Sequence, residues 1–357
     1  MKRNQKLRIG FIGTGGIAAL QLSRLYERPD VEVVALADLN PKLLEQRQAR
    51  DPKIVTYTDY RRMLRHEDLD AVSVCTPNDL HAQAAIAAMR VGCDVLVEKP
   101  MAKTTAEARR MYKIAEETGR ALVIGFQYRL DPRTQYLRRL YDEGAFGEVV
   151  YGRVQALRRR GIPNWGVFGR KEMSGGGPLI DIGVHVLEMA HYTMGSPQPV
   201  SASADMFTYL GNQPSRDIRS QWAGWDHENY TVEDLAIGRV RFDNGAVINV
   251  ETAYAAHLPQ LSLMNYQLMG TQGGATWEPC VFHTDEAGHM VDKSPAWLAE
   301  TDFNTVFKSK MDAFVDHLLH QTPCVAPAKD GVMVQSMLNA MYDSAARGGK
   351  EVRIKPV

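Results

Sequence analysis

A glycine turn at the end of an apolar run constrains this chain more than any other feature. Gly13-Thr14-Gly15-Gly16-Ile17-Ala18 follows the short hydrophobic stretch Leu7–Ile12. The run predicts a buried strand, and Ile17–Tyr26 predicts a helix that stops before Pro29. Between a strand and a helix, G-x-G-x-x-A has a mechanical meaning. Gly13 permits a tight turn, Gly15 lets the backbone approach a ligand, and Ala18 lets helix and strand pack closely. The helix start at Gly16 and Ile17 then presents free N–H groups and a partial positive charge, a natural seat for a pyrophosphate.

The rest of the first third repeats the strand–helix rhythm. Strands are expected at Val31–Leu39, Asp70–Thr76, Asp94–Val97 and Ala121–Phe126, and helices at Pro41–Arg50, Leu80–Val91 and Thr104–Thr118. Fully apolar strands alternating with helices predict a parallel, doubly wound sheet covered on both faces, the Rossmann arrangement. After Asp131 the grammar changes. A helix at Pro132–Asp142 leads to longer alternating strands at Val149–Arg158, Val200–Tyr209, Leu235–Phe242, Ala246–Tyr254 and Tyr266–Gly270, with Asp243-Asn244-Gly245 as a hairpin turn. A second, α+β domain with a mostly antiparallel sheet follows, so the division expected is residues 1–128 and 129–357. One apolar helix, Pro178–Met194, is embedded among these strands, and Gly211–Asn229 reads as a long loop that closes over a ligand. Helices at Phe303–His320 and Val332–Ala346 are candidates to pack back on the first domain.

The glycine turn calls for an acidic residue about 20 positions later, at the end of the second strand. Asp38 stands there and can accept hydrogen bonds from both ribose hydroxyls while repelling a 2′-phosphate. Leu39-Asn40-Pro41 follows it rather than an arginine, so NAD is expected in preference to NADP. The blander alternative is a structural turn with a surface aspartate. Thr76-Pro77-Asn78 ends another strand at the same sheet edge, where a polar turn can hold the second ribose or the nicotinamide side.

Two features carry chemistry. Glu98-Lys99-Pro100 directly follows the strand Asp94–Val97, at the carboxyl edge of the sheet, where a partly desolvated lysine can exchange a proton. A surface lysine at a loop start is the ordinary alternative. Asp181 and His185 stand four apart on a helix otherwise built from Leu, Ile and Val. A catalytic acid/base pair gives one reason for two titratable groups on that stripe, and a buried structural hydrogen bond gives another. From this feature alone both stand open.

Taken in order, these residues, with Gly125-Phe126-Gln127-Tyr128-Arg129, resemble the glucose–fructose oxidoreductase / inositol dehydrogenase / rhizopine-catabolism (Gfo/Idh/MocA) family. The resemblance implies an N-terminal Rossmann domain and a C-terminal open-faced sheet that carries substrate and oligomerises. It implies that Thr76, Pro77, Asn78, His81, Glu98, Lys99 and Gln127 line the cofactor together with Gly13, Gly15, Gly16, Ile17 and Asp38. It implies that Lys99, Asp181 and His185 are catalytic: His185 takes the hydroxyl proton, Asp181 orients it or binds a neighbouring hydroxyl, and Lys99 steadies the developing alkoxide. Tyr128 replaces the first arginine of the commoner G-F-x-R-R, which weakens the transfer of a substrate role to Arg129. Gln155, Arg158, Arg160, Trp165, Phe168 and Tyr254 lie on or beside the expected sheet, and aromatic faces, arginine and glutamine suit sugar rings and their hydroxyls. Each of these is also an ordinary structural residue. The reading is an NAD-dependent dehydrogenase of a sugar, cyclitol or glycoside, including oxidation at sugar carbon 3. Two rivals use the same fold: a glycosidase that retains its NAD, and a non-catalytic sensor, which has no need of an acid/base set.

Composition bounds the partners. Lys+Arg and Asp+Glu both number 42, leaving no global field to draw in nucleic acid or an anionic membrane. The run Arg158-Arg159-Arg160 remains either a local anion site or a solvated strand end. No apolar run approaches the roughly 20 residues of a membrane span. The four cysteines form no metal-type spacing and fit a reducing, cytoplasmic setting, and no metal is expected.

Overall fold

A computed structural model describes residues 6–214, 222 and 224–357. The chain divides into two compact units. The first runs to Gln127 and adds Thr301–Val332; the second comprises Tyr128–Glu300 and Met333–Val357.

In the first unit, β1 (Leu7–Ile12), β2 (Val31–Ala37), β3 (Val55–Tyr57), β4 (Ala71–Val74), β5 (Asp94–Val97) and β6 (Leu122–Ile124) pair in the order β3-β2-β1-β4-β5-β6. Every pairing is parallel. The order reverses beside β1, which makes the switch point where such sheets bind ligands. Crossovers are made by α1 (Gly16–Leu25), α2 (Pro41–Gln48), α3 (Tyr60–His66), α4 (Asn78–Arg90) and α5 (Thr105–Thr118). Thr104 and Glu107 close a reciprocal capping box on α5, and Gly119 ends it in the left-handed conformation. β3 and α3 lie where the sequence announced no element. β3 is three residues long with an exposed first position, too short and too wet to show an apolar run. Gly125–Arg129, which continues the last expected strand, is instead a turn followed by a 3₁₀ helix, Gln127–Leu130.

In the second unit, α6 (Pro132–Asp142), α7 (Lys171–Ser174) and α8 (Val184–Thr193) accompany β7 (Val149–Arg158), β8 (Pro199–Phe207), β9 (Leu235–Phe242), β10 (Val247–Ala253), β11 (Ser262–Gly270), β12 (Gly273–Thr276), β13 (Val281–Glu286) and β14 (His289–Lys293). α9 (Phe303–His320) counts with the first unit, and α10 (Ala328–Ala345) begins there and continues in the second. With β15 (Val352–Arg353), nine strands pair in the order β14-β13-β12-β11-β7-β10-β9-β8-β15. Only β7–β10 is parallel, so the sheet is mostly antiparallel. α8 packs on β7 and β11. Val154, Ala156, Ile248 and Val250 are buried on that face, whereas Arg153, Ile237 and Arg239 are exposed on the other. β13 and the edge strand β14, unannounced by the sequence, are made of mostly polar or exposed residues.

α9 is tied to the first unit by charge as well as by its apolar face. Arg24 and Arg28 on and after α1 pair with Asp312, and Arg28 also with Asp316. These pairs are partly exposed and each contributes at most about 1 kcal/mol. Lys310 differs: it is buried and pairs with Glu98.

Candidate active site

The functional groups of the first unit are mostly backbone. Gly13 has φ +89°, and a Cβ there would lie 2.6 Å from the Cys75 carbonyl oxygen. Only glycine fits a turn of that hand this close to β4. Above Gly15 and Gly16, by contrast, a Cβ would meet nothing within 4 Å, and the N-terminus of α1 has no side-chain cap. Its N–H groups are open to an anion. Asp38 accepts hydrogen bonds from Thr14 N (2.7 Å) and Thr14 Oγ1 (3.0 Å) through one oxygen and from Asn40 N (2.8 Å) through the other. Arg47, which the sequence did not single out, donates to the Thr14 and Gly15 carbonyls at 3.0–3.2 Å and straps the turn from α2.

At the same sheet edge, Thr76 Oγ1 and Gln127 Oε1 are buried without a hydrogen-bond partner in the structure. Buried polar atoms rarely stay unsatisfied, so both await a ligand group. A bare helix N-terminus, an open glycine shelf, an aspartate at the second strand end and two orphaned acceptors fit a dinucleotide. Of the residues expected to hold it, Gly13, Gly15, Gly16, Asp38, Thr76 and Gln127 have these features.

Two residues expected to line the cofactor are committed elsewhere. His81 is buried, with Nδ1 2.9 Å from the Pro100 carbonyl and Nε2 2.8 Å from the Thr76 carbonyl. Burial lowers its pKa, although both carbonyls favour the charged ring. It ties the Thr76 turn to the Lys99–Pro100 turn, whose peptide bond is cis, and neither ring nitrogen is left over. Glu98 is likewise directed inward. Its Oε1 accepts from Gln21 Nε2 (2.6 Å) and from Lys310 Nζ, while Ser73 donates to Gln21 Oε1 (2.5 Å). Lysine on the apolar face of α9, among Val306, Phe307, Met311 and Phe314, was the signal that such a partner existed. Lys99, one residue on, stays partly open.

In the second unit, Leu179–Gly183 forms one wide π-helical turn that leads directly into α8. A uniform α-helix over Pro178–Met194 was expected; the wide turn replaces its first part, a form common where side chains are re-aimed for function. From Leu179 to Ala190, only Asp181, Ile182 and His185 are not fully buried. Tyr254 donates its hydroxyl to Asp181 Oδ2 at 2.7 Å. Burial, then the Asp181 charge, push the Tyr254 phenol well above its usual range, so it stays a donor. Tyr128 packs edge-to-face on His185, with ring centroids 5.1 Å apart.

Arg158 extends this group. Its guanidinium lies 5.7 Å from the Tyr254 ring centre and 5.0 Å from that of Trp222, and it donates to the Gly161 carbonyl. Trp222 meets Trp165 in a T-shaped contact at 4.7 Å, and Trp165 meets Phe168 at 6.1 Å. Trp165 is 49% exposed. The expected loop Gly211–Asn229 falls partly outside the described residues. Arg160 is spent on the Arg159 and Ala256 carbonyls, and the basic run forms no single site.

Two expected substrate ligands do not join the group. Gln155 points to the opposite face of β7, where it donates to Glu251. The period-two alternation that places Arg158 with Tyr254 excludes Gln155. Arg129 is wholly buried, paired with Glu188 and stacked on Tyr192. Its charge is consumed in the core. Among the described residues no cluster of three or more His, Cys, Asp or Glu side chains could hold a metal.

A strand order reversed beside a glycine turn, with a second open-sheet unit bearing an Asp–His helix, defines a nicotinamide-cofactor oxidoreductase in two units. Residues 7–126 match the family described as an oxidoreductase family with an NAD-binding Rossmann fold, and residues 134–276 match the GFO/IDH/MocA C-terminal domain. The D-glucoside 3-dehydrogenase of Escherichia coli is 37% identical over 346 residues, covering 96% of each chain. A levoglucosan dehydrogenase of Pseudarthrobacter phenanthrenivorans is 29% identical, covering 75% of this chain and 73% of that one. A solved levoglucosan dehydrogenase in complex with NADH shares the fold, with TM-score 0.83 at 23% identity over 99% of this chain and 100% of that one. The chain belongs to the Gfo/Idh/MocA oxidoreductase family, and its cofactor is NAD.

Proposed function

We propose that this chain oxidises a secondary ring hydroxyl of a pyranose glycoside, with carbon 3 as the preferred position, and that the same site accepts related sugars and cyclitols. Bound NAD supplies the two-electron acceptor. His185 accepts the hydroxyl proton, Asp181 orients it or binds the neighbouring hydroxyl, and Lys99 stabilises the developing alkoxide. The observation that carries the reading is the Tyr254–Asp181 hydrogen bond at 2.7 Å, on a stretch, Leu179 to Ala190, whose one other polar side chain that is not fully buried is His185. A buried donor that fixes a carboxylate beside a histidine suits an acid/base pair better than a structural bond. The Trp165, Trp222 and Phe168 rings, with Arg158 among them, offer flat faces for a sugar or aglycone beyond the reacting ring. The glucoside dehydrogenase at 37% identity supports the glycoside over the free sugar.

The test is NADH absorbance with purified protein, NAD and a panel of methyl and aryl glucosides, levoglucosan, inositols and free hexoses. Signal with glucosides above the others supports the reading. A flat panel with demonstrated NAD binding sinks it, and release of free sugar without net NADH would favour a glycosidase that retains its NAD.

The exposed face of the nine-stranded sheet is assigned to a second copy of the chain. Phe207, Ile237 and Met269 are exposed there beside the Arg153–Glu251 pair. Light scattering should give a multimer that Ile237→Glu weakens; a monomeric wild type removes this assignment. Four free thiols, and no described helix long and apolar enough to cross a membrane, suit the cytoplasm.

A further inference from the structure

The wide turn that begins the Asp181 helix has no cap of its own: Pro178 precedes it and supplies no side-chain hydrogen bond. Its start is held from elsewhere in the sequence. Gly177 N–H lies 3.0 Å from each carboxylate oxygen of Glu233, and Leu179 N donates to Oε1 at 3.2 Å. Tyr342, on α10, donates its hydroxyl to the same Oε1 at 2.7 Å. Every one of these partners is a donor, which suits a carboxylate rather than a carboxylic acid. Glu233 is almost wholly buried, and burial raises its pKa against the pull of those four contacts.

The fit is close enough to dictate sequence. A Cβ on Gly176 would lie 1.9 Å from the Tyr342 hydroxyl, and one on Gly177 would lie 2.2 Å from the Glu233 carbonyl oxygen. Two of the three glycines before the helix therefore answer to Glu233 and Tyr342, not to the cofactor.

From this anchor the path to the reacting groups is short. The peptide unit whose N–H Glu233 holds belongs to Gly177, and the Gly177 carbonyl accepts the N–H of Asp181 at 3.1 Å. Next to Glu233, Asp234 accepts the N–H groups of Tyr209, Leu210 and Gly211 at 2.6–2.9 Å, and its own carbonyl accepts the Tyr254 N–H at 2.9 Å. Tyr254 is the residue that donates to Asp181. The dipeptide thus fixes Asp181 twice, through the helix start and through its hydrogen-bond donor.

We propose that Glu233 is a positioning residue that sets the placement of Asp181 and His185. It touches no substrate; it acts through the backbone of Gly177 and Leu179. This rests on the reading of Asp181 and His185 given above. A misplacement of about 1 Å at a reacting group costs on the order of 10²-fold in rate.

The test uses Glu233→Gln, Tyr342→Phe and Glu233→Ala in the full chain, with His185→Ala as reference. The substrate is methyl glucopyranoside, protiated and deuterated at its ring carbons, and rates are taken well below each variant's unfolding midpoint. Glu233→Gln keeps the volume and one acceptor oxygen, so turnover should fall about tenfold; Glu233→Ala should fall on the order of 10²-fold and Tyr342→Phe a few-fold. KM and NAD affinity should stay near wild type, and the deuterium isotope effect on kcat should rise. A merely structural cap would reduce the number of active molecules and leave the isotope effect unchanged, which would overturn the proposal. So would full turnover in Glu233→Gln and Tyr342→Phe, even if Glu233→Ala does not fold. If His185→Ala also keeps full turnover, the reading of the site has failed and Glu233's role with it. If only the Glu233 and Tyr342 variants keep theirs, the positioning role alone falls.

Discussion

The two units hold their functional groups by opposite means. The cofactor side is local: Gly13 to Ala18, Asp38 and the Thr76 turn lie at consecutive strand ends, and what they offer is largely backbone. The chemical side is non-local. Asp181 and His185 share a helix, but Tyr254 lies 73 residues from Asp181, and Glu233 lies 56 residues from the Gly177 amide it accepts. A backbone site needs only the fold and tolerates changes around it. A side-chain site needs each remote partner, and each loss should show in rate before it shows in stability.

The comparison breaks first at a buried pair that makes the first unit non-local as well. Lys310 and Glu98 are 212 residues apart and buried together beside Lys99. Lys310→Met leaves the Glu98 carboxylate buried without its cation, which should cost about 3–5 kcal/mol in chemical denaturation. Adding Glu98→Gln should return part of it, since the uncompensated charge is the larger penalty. A loss below about 1 kcal/mol for Lys310→Met would mean that water reaches Glu98 and replaces its cation.

The second test separates the units by their readouts. His185→Ala should lower turnover by at least about 10²-fold with NAD affinity little changed, as the loss of a general base predicts. Retention of near-full turnover would remove His185 from the chemistry. The converse change is Gly13→Ala, whose Cβ would lie 2.6 Å from the Cys75 carbonyl oxygen at a φ of +89°. Strain of about 1–3 kcal/mol at the turn should weaken NAD binding roughly tenfold to a hundredfold by calorimetry. Unchanged NAD affinity would show that the turn does not seat the pyrophosphate.

This division also explains what the sequence made legible. The strand–helix order of the first unit and the glycine turn could be read because each is a contiguous pattern with its own period. Asp181 and His185 could be singled out because polar residues stand out on an apolar helix. Gln155 was misplaced because a ten-residue strand shows its alternation but not which face meets the helix. Arg129 was misread because a buried charge pair and a ligand pair look alike until Glu188 is brought beside it. Glu233, Tyr342 and Arg47 carried no local signal, since each is an ordinary polar residue whose partners lie far away in the sequence. Lys310 on α9's apolar face carries a local signal for a buried acidic partner, but the sequence does not say which one.

The smallest effect tests the link between Tyr254 and Asp181 most directly. Tyr254 is buried in a cluster with Ile162, Tyr230, Val232 and Ala255, so Tyr254→Phe keeps the ring and its packing and removes only the hydroxyl. Asp181 then loses a donor at 2.7 Å. A hydrogen bond to a charged group is worth about 1.5–3 kcal/mol. Asp181 is only partly buried, and water can replace part of that bond, so the loss should lie at the lower end. Turnover should fall about tenfold, less than for His185→Ala, with NAD affinity unchanged and the unfolding midpoint shifted little. If turnover is untouched, Asp181 is oriented by its helix alone, and the chemical side is more local than the structure suggests. If the fall matches that of His185→Ala, the Tyr254 hydroxyl itself touches the substrate, and the acid/base set has one more member.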